Sequence, residues 1–174
     1  MKSAEFNWYT PARRLALCLL FSLLLGGCVA SVVPPAPGLE DAALHGDPQR
    51  RASMRLVLEG IDADERGDTR RALSRYERSL QIDSGNPYSH LALARHFIAQ
   101  SDVSRGLTHL DQSRTMFEDA GPISTVVEAH LRGLRGSALR SEGRLEDARP
   151  LLDHAARLAP DLWGDSELEA HELR

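Results

Sequence analysis

Residues 60–79 read GIDADERGDTRRALSRYERS, and this stretch decides the fold. Gly67-Asp68 breaks it in the middle, and Asp is a preferred first cap of a new helix. Small residues flank the break at fixed offsets: Gly60 seven places before Gly67, Ala72 five after, Ser79 twelve after. A large residue, Tyr76, falls nine after. The same frame recurs twice. Counted from Ser101-Asp102, the small residues are Ala94, Gly106 and Ser113, and the large one is Leu110. Counted from Gly143-Arg144, they are Gly136, Ala148, Ala155 and Leu152. Antiparallel helices approach closely only where side chains are small, and large residues fill the adjoining grooves. The frame therefore predicts three helical hairpins.

The small and large positions closely resemble the tetratricopeptide repeat, a 34-residue helix-turn-helix unit. Asp83-Ser84-Gly85-Asn86-Pro87 is similar to the inter-repeat turn of that family, with Ser84 where Pro is usual, and Leu158-Ala159-Pro160 matches it better. Leu56 stands at the family's large position early in the first helix, but His90 and Arg132 replace it in the other two units. Gly67 and Ser101 are 34 residues apart, whereas Ser101 and Gly143 are 42 apart. The eight extra residues fall near Met116 to Val126, so the second unit's back helix or the third unit's first helix is expected to be long. The resemblance implies an all-α fold: a right-handed superhelical stack of about three hairpins, plus a short C-terminal capping helix.

Start and stop signals place the helices. They run from Asp47-Pro48 to about Arg66, Asp68 to Ile82, Asn86-Pro87 to Gln100, Asp102 to Phe117, Ile123 to Ser141, and Leu145 to Leu158. Trp163 to Leu173 reads as the capping helix, with Glu167, Glu169 and Glu172 outward and Leu162, Trp163 and Leu168 inward, because a repeat array needs a polar end.

The N-terminus has a different character. Lys2, Arg13 and Arg14 precede Leu15–Gly27, which reads LALCLLFSLLLGG without a charge. Thirteen residues are too few for a membrane span and suit a secretory leader. The run ends in Leu25-Gly26-Gly27-Cys28, which resembles the lipobox of bacterial lipoproteins. That resemblance implies cleavage after residue 27 and lipidation of Cys28, with more than one chain giving stable anchorage. Val29 follows the Cys where an inner-membrane retention signal would carry Asp, so the outer membrane is the expected home, with the domain facing the periplasm. Pro34, Pro35 and Pro37 make residues 28–46 an extended tether. Three regions result: leader 1–27, lipidated Cys and tether 28–46, helical domain 47–174.

Charge excludes one class of partner. The net charge is −4, and losing the leader makes it more negative, which argues against nucleic acid. The sequence carries no HExxH, GxSxG or P-loop motif. Asp62-Ala63-Asp64-Glu65-Arg66-Gly67 fails as a calcium loop, because Arg66 and Leu73 sit where oxygen ligands are needed. The expectation is a non-enzymatic protein without cofactor or metal. The leading reading is a membrane-anchored interaction scaffold or assembly factor for an envelope complex, either pilotin-like or an adaptor for peptidoglycan enzymes. An enzyme with an unrecognised site, or a passive structural lipoprotein, are the alternatives. In tetratricopeptide proteins the first helices line a groove that binds a protein or peptide. Carried over by position, that groove holds Tyr88, Leu91, Arg95, Ile98, His130 and Arg140, with Met54, Val57, Ile61, Asp64 and Leu134 beside them. Ala92 stands where family members that clamp a C-terminal carboxylate carry Asn, so that ligand is not expected.

Overall fold

A computed structural model describes residues 46–164 and Leu44. The expected leader, Cys28, most of the tether and residues 165–174 lie outside the described residues. Among the described residues seven helices follow one another: α1 Pro48–Glu65, α2 Thr69–Ile82, α3 Pro87–Ala99, α4 Val103–Ala120, α5 Thr125–Ser141, α6 Leu145–Leu158 and the short α7 Pro160–Trp163. The tightest pairings are α1 with α2, α3 with α4, and α5 with α6, which makes three helical hairpins. Each first helix also meets the next, α1 against α3 and α3 against α5. Among the described residues, no helix is long and apolar enough to cross a membrane.

The three hairpin turns are built alike. Gly67, Ser101 and Gly143 all adopt left-handed backbone, with φ of 74°, 62° and 78°. In each, the next residue's N–H reaches back to close the preceding helix: Asp68 N to Ala63 O at 2.9 Å, Asp102 N to Phe97 O at 2.8 Å, Arg144 N to Leu139 O at 3.0 Å. That is the Schellman way of ending a helix, and it favours glycine at the left-handed residue. Asp68 and Asp102 then cap the second helices through Arg71 N and Arg105 N, while Arg144 makes no side-chain cap. Pro48 and Pro87 stand in first turns, where their missing N–H costs nothing.

The small positions work as spacers. All nine are buried, as are Tyr76, Leu110 and Leu152. A Cβ added at Gly60 would run into the Tyr76 ring, and one at Gly136 would sit 2.8 Å from Leu152 Cγ. One at Gly106 would meet Ile98 Cγ1 at 2.6 Å and the Ala94 carbonyl at 3.1 Å. In each hairpin, then, a small residue on one helix receives a large residue or the backbone of its partner. The position twelve after the turn adds a polar clasp. Ser79 Oγ donates to Ser53 O at 3.0 Å, and Ser113 Oγ donates to Pro87 O at 2.9 Å. Ser53 and Pro87 occupy the same register of their first helices, so the bond repeats with the frame. Ala155 cannot make it in the third hairpin.

Two boundaries differ from expectation. The eight extra residues between the second and third turns divide between two helices: α4 has 18 residues against 14 in α2 and continues to Ala120 before Gly121 ends it, and α5 has 17 against 13 in α3. A short helix not expected from the sequence, α7, runs from Pro160 to Trp163, because Pro160 takes a first-turn position directly after Ala159; the expected capping helix from Trp163 to Leu173 lies almost wholly outside the described residues. Trp163 is buried against Gly133, as its inward placement required. Leu168 and the three outward glutamates lie outside the described residues.

Two substitutions test the frame. Gly60→Val should destabilise by about 3 kcal/mol through overpacking, whereas Ser101→Gly should stabilise by about 1 kcal/mol by relieving left-handed strain. Urea unfolding curves of both variants measure this.

Candidate functional site

Helix α3 is buried along its whole face from Pro87 to Ile98. A helix buried all round is normally apolar. This one carries Ser89, His90, Arg95 and His96, and each must find a partner inside.

Asp64, at the end of α1, collects two of them. Its carboxylate accepts from Arg95 Nη1 at 3.0 Å and Tyr76 Oη at 3.1 Å, and His96 Nδ1 lies 3.0 Å from Oδ1. The side chains of Arg95 and Asp64 are only 9% and 3% exposed, so this is an interior ion pair. Burial, then the charge of Asp64, push the Tyr76 phenol above its ordinary range, which keeps it a donor. The node ties three helices together: α1 through Asp64, α2 through Tyr76, α3 through Arg95 and His96. Arg95 Nε, by contrast, is buried without a hydrogen-bond partner. So is Ser137 Oγ on α5. These two stand at the same register, six residues before their turns, on helices that touch.

Ser89 joins a hydroxyl cluster between α1, α2 and α3. Ser79 Oγ lies 2.5 Å from Ser89 Oγ and 2.7 Å from Ser53 Oγ, and Asn86 Nδ2 donates to Ser53 Oγ at 2.8 Å. His90 faces His109 of α4, with their Nδ1 atoms 3.0 Å apart. His109 stacks on Phe97, and Arg105 lies 4.2 Å above the Phe97 ring. At the far end, Trp163 Nε1–H donates to His130 Nδ1 at 3.2 Å. Burial lowers the His130 pKa to about 4, so the imidazole is neutral and Nδ1 keeps its lone pair for Trp163.

The six groove residues expected from the repeat resemblance are therefore placed as follows. Tyr88, Leu91, Arg95, Ile98 and His130 are buried, and Arg140 is half-buried. Tyr88 packs edge-on against Phe117, with ring centres 4.9 Å apart. Ile98 lies over Gly106. Arg95 pairs with Asp64, and His130 holds Trp163. Four come together on α3, while His130 and Arg140 stand on α5. Among the described residues, no group of three or more His, Cys, Asp or Glu is disposed to hold a metal ion. Sequence reasoning missed Tyr76 and His96 as partners of Asp64, and the His90–His109 pair. All are contacts between residues 12 to 32 apart in the chain, with no local pattern to signal them.

Asp64→Asn should cost about 3 kcal/mol in chemical denaturation, because it leaves the buried Arg95 cation without its counter-charge. His130 sets a pH dependence. Its folded pKa lies near 4 and its unfolded value near 6.5, so the unfolded chain binds more protons between them. Stability is full above about pH 6.5 and falls as pH drops towards 4, by up to about 3 kcal/mol. His130→Asn should remove that share of the slope.

No known protein family, curated protein or solved structure matches the chain.

Proposed function

We propose that this chain is an envelope interaction scaffold: a lipoprotein anchored through Cys28 whose helical hairpins form a right-handed, tetratricopeptide-like superhelix that binds another protein. The leader and Leu25-Gly26-Gly27-Cys28 are the support for the anchor. Three turns of equal geometry, and first helices that meet in the order α1, α3, α5, are the support for the repeat. In this reading the protein acts by binding and holds its partner off the outer membrane at the end of the tether, on the periplasmic side.

One observation carries the binding role. Arg95 Nε and Ser137 Oγ are buried polar atoms without partners, at matching positions on adjacent first helices. An unsatisfied buried donor costs about 1–3 kcal/mol. Both are closed off in the unbound domain, so a peptide laid across α3 and α5 would satisfy them with its carbonyls once these two side chains turn outward, with Arg140 one turn further along α5. The planar guanidinium of Arg95 suits such an acceptor.

Two experiments test the reading. Cys28→Ser should leave a folded protein that no longer fractionates with the outer membrane; unchanged fractionation overturns the anchor. A photo-crosslinking residue at Arg140 should capture one dominant envelope protein in cells, and Ser137→Ala should weaken that capture while changing stability by less than about 0.5 kcal/mol. Capture only from a second-helix position such as Arg78 would move the binding face away from α3 and α5.

A further inference from the structure

Helix α7 is a single turn, and its last residue is the one that seats it. The Trp163 indole lies in a notch of α5: a Cβ added at Gly133 would stand 2.5 Å from its Cδ2, Cε2 and Cε3 atoms. One turn earlier on α5, His130 Nδ1 accepts the indole N–H at 3.2 Å. Trp163 and His130 are 1% and 3% exposed. A single hydrogen bond, shielded from water, thus fixes how α7 closes on the third hairpin.

An indole N–H can only donate. Nδ1 of His130 is therefore the lone-pair nitrogen, and the ring proton sits on Nε2. A second proton has one place to go, Nδ1 itself. It would set N–H against N–H inside the notch and leave a buried cation with no counter-charge. The surrounding elements supply none. On α5, Glu128 is taken by Arg132 and Arg114. From α3, Arg95 and His96 are turned to Asp64. From α4, Asp111 is taken by Arg135, and His109 meets His90. On α6, Glu146, Asp147, Asp153 and Arg157 are exposed and His154 is half-buried, and Asp161 of α7 is exposed. None of these charges contributes to the His130 shift, which burial alone produces.

We propose that His130 and Trp163 form an acid-released latch on the end of the hairpin stack. A solvent proton taken up by His130 Nδ1 breaks the bond, the indole N–H passes to water, and α7 swings off α5 while the three hairpins stay folded.

Local release is the easier response to that proton. Helix α7 has four residues, and two of its N–H groups, those of Leu162 and Trp163, bond back to Ala159. The close approaches inside the hairpins pair Gly60 with Tyr76, Gly106 with Ile98 and Gly136 with Leu152, and none of them involves Trp163. Segments with few such contacts open at lower free energy than the core. Release uncovers the imidazole, whose pKa returns from about 4 to its ordinary 6.5. The latch is at full strength above about pH 6.5, and between pH 6.5 and 4 acid shifts it towards the open form by up to roughly 300-fold. Opening bares the Gly133 notch and the indole together, on the face where a further hairpin would stack. The inference does not depend on the anchor or on the peptide site at Arg95 and Ser137.

The test follows Trp163 emission with pH in the full-length chain in detergent, carrying Trp8→Phe so that Trp163 is its one tryptophan. Far-UV circular dichroism is read on the same samples. The expected result is a red shift of the emission between pH 6.5 and 4 that precedes the loss of helix. His130→Asn, whose side-chain oxygen accepts the indole N–H without titrating, should remove that shift until the helices unfold. Gly133→Ala, which fills the notch, should give the red-shifted emission already at neutral pH with the helices intact. An emission that holds to pH 4, one that changes only together with the helix signal, or a shift unaltered in His130→Asn would overturn the proposal. So would an unshifted emission of Gly133→Ala at neutral pH.

Discussion

Everything in this domain depends on how closely two antiparallel helices can approach. At Gly60, Gly106 and Gly136 the neighbouring helix comes so near that a single methyl group would collide with it. Such proximity lets Tyr76 and Leu152 lie flat across the partner helix. It also lets Ser79 and Ser113 reach carbonyls on the helix opposite. Dispersion falls off steeply with distance, so the small residues gain their value from what their neighbours can touch. The left-handed turn residues 67, 101 and 143 set where each pair begins, and so hold the small residues of one helix opposite the large ones of the other.

A second consequence follows from stacking hairpins side by side. The first helix of the middle hairpin has neighbours on most sides, and α3 meets α1, α2, α4 and α5. Its polar residues can only be satisfied from within. Ser89 uses the serines of α1 and α2, Arg95 and His96 use Asp64, and His90 uses His109. These bonds do more for specificity than for stability. An interior ion pair recovers little beyond its desolvation cost, but it penalises any packing that separates the partners. Asp64 in particular requires α1, α2 and α3 to be in register together.

Much of this was legible in the chain. The offsets of small and large residues locate the three hairpins, and Asp, Asn and Pro at helix starts locate the ends. These signals are local, so they survive in one dimension. The polar contacts are not local. Asp64 and Arg95 are separated by a whole helix and two turns, and Asp64 read from sequence is one more charge at a helix end. Repeat position alone puts Arg95 among the groove residues, and no local signal points to the carboxylate that engages one side of it. The lengths of α4 and α5 are half legible: the longer interval is plain, but only the turn at Gly121 shows that the two helices share it. The short helix α7 follows from Pro160, a start signal that the sequence pattern places in an inter-repeat turn.

The most direct test of the account is a double-mutant cycle between Gly136 and Leu152. If close approach governs the hairpin, Gly136→Ala is harmful because of Leu152, and Leu152→Ala makes room for it. The account predicts a coupling of about 1–2 kcal/mol, with the double variant more stable than the sum of the single effects allows. Additivity within about 0.3 kcal/mol would contradict it, since the two residues would then not be in the contact on which the repeated frame rests.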